Sequence, residues 1–335
     1  MPLTMIGDSS QYFQSLRQSS TIKARMNTLS SELSSGRIDD LSAHLKGDVA
    51  PLALMDRELS MLDGYMQTGR EFAQRMAEKQ IVLSSMESDL TSLAANLITI
   101  TPSSSLIELQ SAETAGRTGF DRTVGLLNTR LGDRALFAGA AVDSDALASA
   151  ADMMASILTA VGGATDAATI TAAIDTWFDD PAGGFATMGY RGDTGIAVSQ
   201  RIGTSEVLTQ DGRADDPGVR GVLKSAAYAA VSEALSGVLD VGARAALLRG
   251  AGEATFSATD GLRRIAARIG EDEQRVEELS TRHAAQRTTI AQARNGMTLA
   301  DPFDTASLLQ SVQQQLELHY TATARMSRMS LANYL

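Results

Sequence analysis

The chain has 335 residues, 44% of them apolar but only 4% aromatic, and a formal net charge of −11. That length leaves room for two or three domains, and packing mass supplied by Ala, Leu and Met suits helix-on-helix burial. The acidic balance, with no Lys/Arg-rich stripe, argues against nucleic acid as a partner, and the absence of cysteine removes disulfides, thiolate zinc sites and thiol catalysis.

The opening Met1-Pro2-Leu3-Thr4-Met5-Ile6-Gly7-Asp8 lacks a basic stretch followed by an apolar run, so no cleaved secretory signal is read there. Residues 11–33 carry Phe13, Leu16, Ile22, Met26, Leu29 and Leu33. The last four run at helical spacings of four, three and four, and Gly36 is a plausible left-handed terminator. A loop to Pro51 follows. From Met55 one heptad position then reads Met55, Leu62, Gly69, Met76, Leu83, Leu90 and Leu97, which predicts one long helix over 52–101. At about 1.5 Å per residue it would span on the order of 75 Å, too long to pack alone, and Pro102 ends it. Ser105 with Glu108 forms a capping-box pattern for the next helix, which carries Leu109, Phe120, Val124, Leu127 and Leu131 and ends near Gly132.

The texture changes at Gly139. Residues 143–180 are Ala-rich, with short helical pieces broken at Gly162-Gly163. Residues 185–208 alternate and are punctuated by Gly189, Gly192, Gly195 and Gly203, which predicts short strands or hairpins. Helix returns near Val219, breaks around 237–242, and a second heptad series reads Leu262, Ile269, Val276, His283, Ile290 and Met297, with Ile265 and Leu279 on the companion position. After Asp301-Pro302, Asp304 or Thr305 is the predicted cap of a last helix with Leu309, Val312, Leu316, His319 and Met326. No stretch approaches the roughly 18 apolar residues of a membrane-spanning helix, so no membrane insertion is expected.

No catalytic, cofactor-binding or metal-binding set is legible. His44, His283 and His319 are far apart, and the latter two fall on helical stripes, as packing residues do. Gly189 to Gly195 is glycine-rich but lacks the Lys-Ser/Thr of a phosphate loop, and Arg191-Gly192-Asp193 is read as a hairpin turn rather than an adhesion tripeptide. Asp39-Asp40, Asp179-Asp180 and Asp215-Asp216 are read as solvated turns. The inner stripes read as intramolecular core. The terminal segments read as surfaces for a partner, because short isolated helices are marginal in water and need neighbours to order them.

Four segments carry a resemblance: Leu33-Ser34-Ser35-Gly36-Arg37, Gly132-Asp133-Arg134-Ala135-Leu136-Phe137-Ala138-Gly139, Tyr190-Arg191-Gly192-Asp193, and the ending Ser327-Arg328-Met329-Ser330-Leu331-Ala332-Asn333-Tyr334-Leu335. With these the chain resembles the flagellin family, and within it the hook–filament junction proteins (hook-associated proteins of type 3). The resemblance covers 1–140 and 250–335. The ending is its most specific piece, since flagellins usually close with a Leu-Leu-Arg type of tail. One departure is that the family usually has an Asp-Asp-Pro run after the first turn, whereas Asp39-Asp40 is followed here by Leu41.

The resemblance implies a structural, non-enzymatic subunit of the bacterial flagellum. It would leave the cell unfolded through the flagellar type III apparatus, with an export chaperone, and reside outside it. Its partners would be copies of itself, the hook-side junction protein and flagellin. The expected fold is mainly α, with long antiparallel helices or a coiled coil formed by the N- and C-terminal segments and a small α+β middle domain. The expected division is 1–40 (assembly helix), 41–140 with 251–300 (long-helix rod), 141–250 (outward-facing variable domain) and 301–335 (assembly helix). The assembly interface is placed on Leu16, Ile22, Met26, Leu29, Leu33, Leu309, Val312, Leu316, Met326 and Leu331. Rival readings are a filament-forming flagellin, a secreted adhesin or enzyme carried by the middle insert, and a coiled-coil signalling protein.

Overall fold

Heptad spacing becomes helix along most of the chain. The structure, a computed structural model, describes residues 4–195, 197–209 and 212–332, and the side chains of all of these except 4–9, 11 and 327–332. Over these residues the order is α1 (Thr4–Ser35), α2 (Leu41–His44), α3 (Ala50–Leu97), α4 (Leu106–Leu127), β1 (Arg130–Leu131), β2 (Arg134–Ala135), α5 (Ala150–Val161), α6 (Ala167–Asp179), a π-helical turn (Phe185–Gly189), β3 (Ser199–Arg201), β4 (Val207–Thr209), α7 (Pro217–Ala234), α8 (Val241–Thr298) and α9 (Pro302–Ala332). The chain is mainly α, with two small antiparallel sheets, β1–β2 and β3–β4. It divides into two units, 1–62 with 285–335, and 63–284.

In the first unit α1 and α9 run antiparallel: Ser15 meets His319, and Arg37 pairs with Leu299. Gly36 ends α1 at φ +68°, a left-handed conformation that residues with a Cβ rarely adopt. From that turn Ile38 N–H donates to Thr298 O (3.0 Å) and Gly36 O accepts from Ala300 N–H (3.1 Å), so the end of α1 is tied to the break before α9. The α9 cap is Asp301, three residues before Asp304 and four before Thr305, the caps the sequence suggests: its Oδ1 accepts the N–H groups of Phe303 (2.8 Å) and Asp304 (3.2 Å). Pro302 explains the shift, since a proline at the first helical position is pre-set for helix and its missing N–H costs nothing there.

In the second unit four helices pack with each neighbour antiparallel. Arg122 reaches Asp89 between α4 and α3 at 2.7 Å, and Arg263 reaches Glu87 between α8 and α3 at 2.7 Å. Gly116 of α4 lies on Ala229 of α7, whose Cβ would stand 2.5 Å from an added Cβ. Gly218 of α7 faces Gly261 of α8 so closely that a Cβ on Gly218 would stand 2.8 Å from the Gly261 carbonyl carbon. Small residues at these crossings let the backbones touch. Phe72, Met76, Leu83, Met86, Leu90, Leu97, Phe120, Leu248, Leu262 and Ile269 fill the core between them. Within it Glu113 of α4 is 2% exposed. Its carboxylate takes Arg244 of α8 on both oxygens, at 2.7 and 2.5 Å, and Ser232 of α7 at 2.8 Å. One charge pair thereby fixes three helices, a geometry in which each buried charge is compensated.

The α4 helix stops at Leu127 rather than near Gly132, because Arg130–Leu131 and Arg134–Ala135 fold back on each other about Gly132, whose φ is +60°. The capping box of Ser105 and Glu108 forms as read. Residues 185–189 are a π-helical turn rather than strand: Tyr190 N–H donates to Phe185 O at 2.7 Å, and the Phe185 ring packs on Trp177, Phe178 and Tyr190. The hairpin expected in this region is β3–β4. Arg191 to Asp193 is a loop rather than a hairpin turn, held because Asp193 N–H donates to Ala138 O (2.9 Å) and Tyr190 OH to Asp193 O (3.0 Å). The two inner segments that carry the flagellin resemblance therefore touch one another.

Candidate functional site

The candidate site is the helix pair of the first unit. On α1 the seam residues are Ser15, Ser19, Ile22, Met26 and Leu29, at spacings of four and three; on α9 they are Leu309, Val312, Leu316, His319 and Thr323. Ile22, Leu29 and Val312 form a buried cluster, with Met26, Leu309 and Leu316 packed against it. Six of the ten residues assigned to the assembly interface are thus brought together within one chain. Leu16, Leu33 and Met326 remain exposed, and the Leu331 side chain lies outside the described residues.

Toward the chain ends the seam turns polar. His319 Nε2 lies 3.2 Å from Ser15 O. A carbonyl only accepts, so this contact places the ring proton on Nε2. Ser15 Oγ lies 3.3 Å from the same nitrogen and 3.4 Å from Thr323 Oγ1. A polar seam contributes less to pairing than an apolar one, since each such hydrogen bond replaces one with water and nets about 1 kcal/mol. His283, on the other stripe, is a packing residue: its ring lies 5.7 Å from Tyr65, and burial, with Arg282 beside it, holds its pKa below the ordinary value.

What the stripe did not reveal is the other side of the pair. Phe303 is 82% exposed, Leu318 70% and Phe13 69%, and Tyr12, Leu308 and Tyr320 are exposed as well. Tyr12 and Phe13 meet edge to face, and Lys23 lies 5.7 Å over the Tyr320 ring. The Lys23 ammonium lowers the Tyr320 phenol pKa. Of the twenty large apolar side chains exposed among the described residues, thirteen lie in this unit, which holds only about a third of the chain. The sequence signal for them is apolar residues out of step with the four-three stripe, which makes the apolar arc wider than one seam needs.

Elsewhere Asp39-Asp40 and Asp179-Asp180 are exposed to solvent, while Asp215-Asp216 is half-buried, and members of each pair also hold local structure. Asp40 caps α2 through Ala43 N–H (2.9 Å), Asp179 takes Lys224 (2.6 Å), and Asp216 caps α7 through Gly218 N–H (2.9 Å) and meets Arg268 (3.2 Å). Among the described residues no three of His, Cys, Asp or Glu are grouped to hold a metal ion, and no helix is long and apolar enough to cross a membrane.

This arrangement defines a mainly α chain of paired long helices whose terminal pair carries apolar surface on its outer side. The fold is shared with a solved Vibrio parahaemolyticus protein assigned as flagellar hook-associated, aligned over 77% of this chain and 98% of that one with a TM-score of 0.52 and 13% identity. FlgL of Bacillus cereus aligns over 74% of this chain and 97% of its own at 13% identity, with a TM-score of 0.40. No family model matches the chain, and no curated protein sequence does.

Proposed function

We propose that this chain is a structural subunit of the bacterial flagellum at the hook–filament junction, assembled by packing its terminal helices against those of neighbouring copies. The observation that carries this is the concentration of exposed Phe, Leu and Tyr on the unit that holds both chain ends. Exposed apolar surface gathered on one part of a chain marks a site of interaction. The fold shared with the Vibrio flagellar protein supports it, as does the resemblance of 327–335 to the ending of junction proteins rather than flagellins. On this reading the chain is not an enzyme. It is exported unfolded, escorted by a chaperone, and contacts the hook-side junction protein, flagellin and copies of itself. Head-to-tail contacts of one subunit with the next propagate or close according to their rotation, and the exposed apolar side chains on the outer side of the pair supply the free energy as they are covered.

Deletion of the gene in its native bacterium tests the position. Bare hooks with flagellin shed into the medium are expected. Filaments still attached to hooks in the deletion strain would refute the junction assignment.

A further inference from the structure

A half-enclosed pocket of about 440 Å³ in the second unit is lined by Arg75 and Glu71 of α3, Arg134 of β2, Gln200 of β3, and Leu136 and Val142 between them. That volume is in the range of small-ligand sites. Two guanidinium groups face it and one carboxylate opposes them, so its walls hold about one net positive charge. Arg75 donates through one terminal nitrogen to Gln200 Oε1, which leaves the Gln200 amide N–H groups as further donors. Among the described residues, Arg75 Nε–H is buried without a hydrogen-bond partner. Burial and the Arg134 charge both disfavour the charged Arg75, while Glu71 favours it.

We propose that this pocket binds a carboxylate, gripped by Arg75 and Arg134 with its hydrocarbon stem against Leu136 and Val142. Guanidinium pairs with carboxylate through paired N–H donors, which the Arg134 guanidinium and the terminal nitrogens of Arg75 supply here. A single carboxylate, rather than a doubly charged phosphate, matches the one net positive charge. The apolar walls suit a short methylene stem such as a free short-chain acid or the Glu or Asp side chain of a second copy presents.

The test follows the Arg75 Nε–H resonance of the full-length protein by NMR while butyrate is added, with sodium chloride at equal concentration as control. A saturable butyrate shift in the wild type is expected, weakened at least tenfold in Arg134→Met. Arg134 is exposed, so this variant should keep its melting temperature, which is measured alongside. If the resonance instead moves with protein concentration, and butyrate or Arg134→Met reverses it, the occupant is a carboxylate from another copy and the site stands. A resonance indifferent to both butyrate and protein concentration, or a butyrate shift that persists undiminished in Arg134→Met, would overturn the proposal.

Discussion

Leu318→Glu separates assembly from folding. Leu318 is 70% exposed in the isolated chain, so little of its apolar surface is already used there. Full burial of a leucine side chain contributes about 1.5–3 kcal/mol, which leaves roughly 1–2 kcal/mol for Leu318 to gain on meeting a neighbour. A glutamate loses that gain and also brings a charge into a dry contact, adding several kcal/mol of desolvation unless it finds a partner. Even the lower end of that sum, about 3 kcal/mol, raises the concentration needed for assembly by roughly a hundredfold, since each 1.4 kcal/mol is tenfold. Glutamate is a good helix former, and exposed substitutions usually change stability by no more than about 0.5 kcal/mol. The isolated protein should therefore melt as the wild type does. Leu316→Asp is the contrast, because Leu316 packs on the seam of Ile22, Leu29 and Val312. It should open the terminal pair in the free chain and abolish motility, while the second unit stays folded. Sedimentation for assembly and circular dichroism melting for stability read both variants. Leu318→Glu assembling like the wild type, or destabilising the free chain as much as Leu316→Asp, would refute the reasoning.

Three other outcomes follow from the second unit. Glu113→Gln should cost about 3–5 kcal/mol in urea unfolding, because it leaves the buried Arg244 charge uncompensated, whereas replacing both partners by Leu and Met should cost far less. Gly218→Ala should destabilise by about 1–3 kcal/mol, since the new methyl cannot fit against the Gly261 backbone without parting α7 from α8; a neutral result would mean the two helices are not in contact. His283 has its pKa lowered in the fold, so below about pH 6.5 the unfolded chain binds more protons and stability falls with falling pH. His283→Gln should flatten the slope of melting temperature against pH in that window.

Local signals and single-helix periodicity were legible. Ser105 and Glu108 sit three apart and cap α4 as read, and the Met55 and Leu262 series became the buried faces of α3 and α8 from Leu62 to Leu97 and from Leu262 to Val276. Contacts that join distant positions were not. Glu113 lies 119 residues from Ser232 and 131 from Arg244, and nothing local in α4 marks it as a buried charge. The seam of the terminal pair was legible because heptads report a helix face. Its outer surface was not, because periodicity counts apolar residues without saying what they touch, and Phe303 and Leu318 fall between the seam positions. The cap of α9 was misplaced by weighing Asp304 and Thr305 ahead of the Asp301 that precedes Pro302.

The most direct test of the central claim is hydroxyl-radical footprinting of the free protein beside the same protein in isolated flagella. The account predicts that Phe13, Phe303 and Leu318, labelled readily in the free chain, become protected in the assembled state. Equal labelling of these three residues in both states would contradict it, because the outer face of the terminal helix pair would then remain in water after assembly.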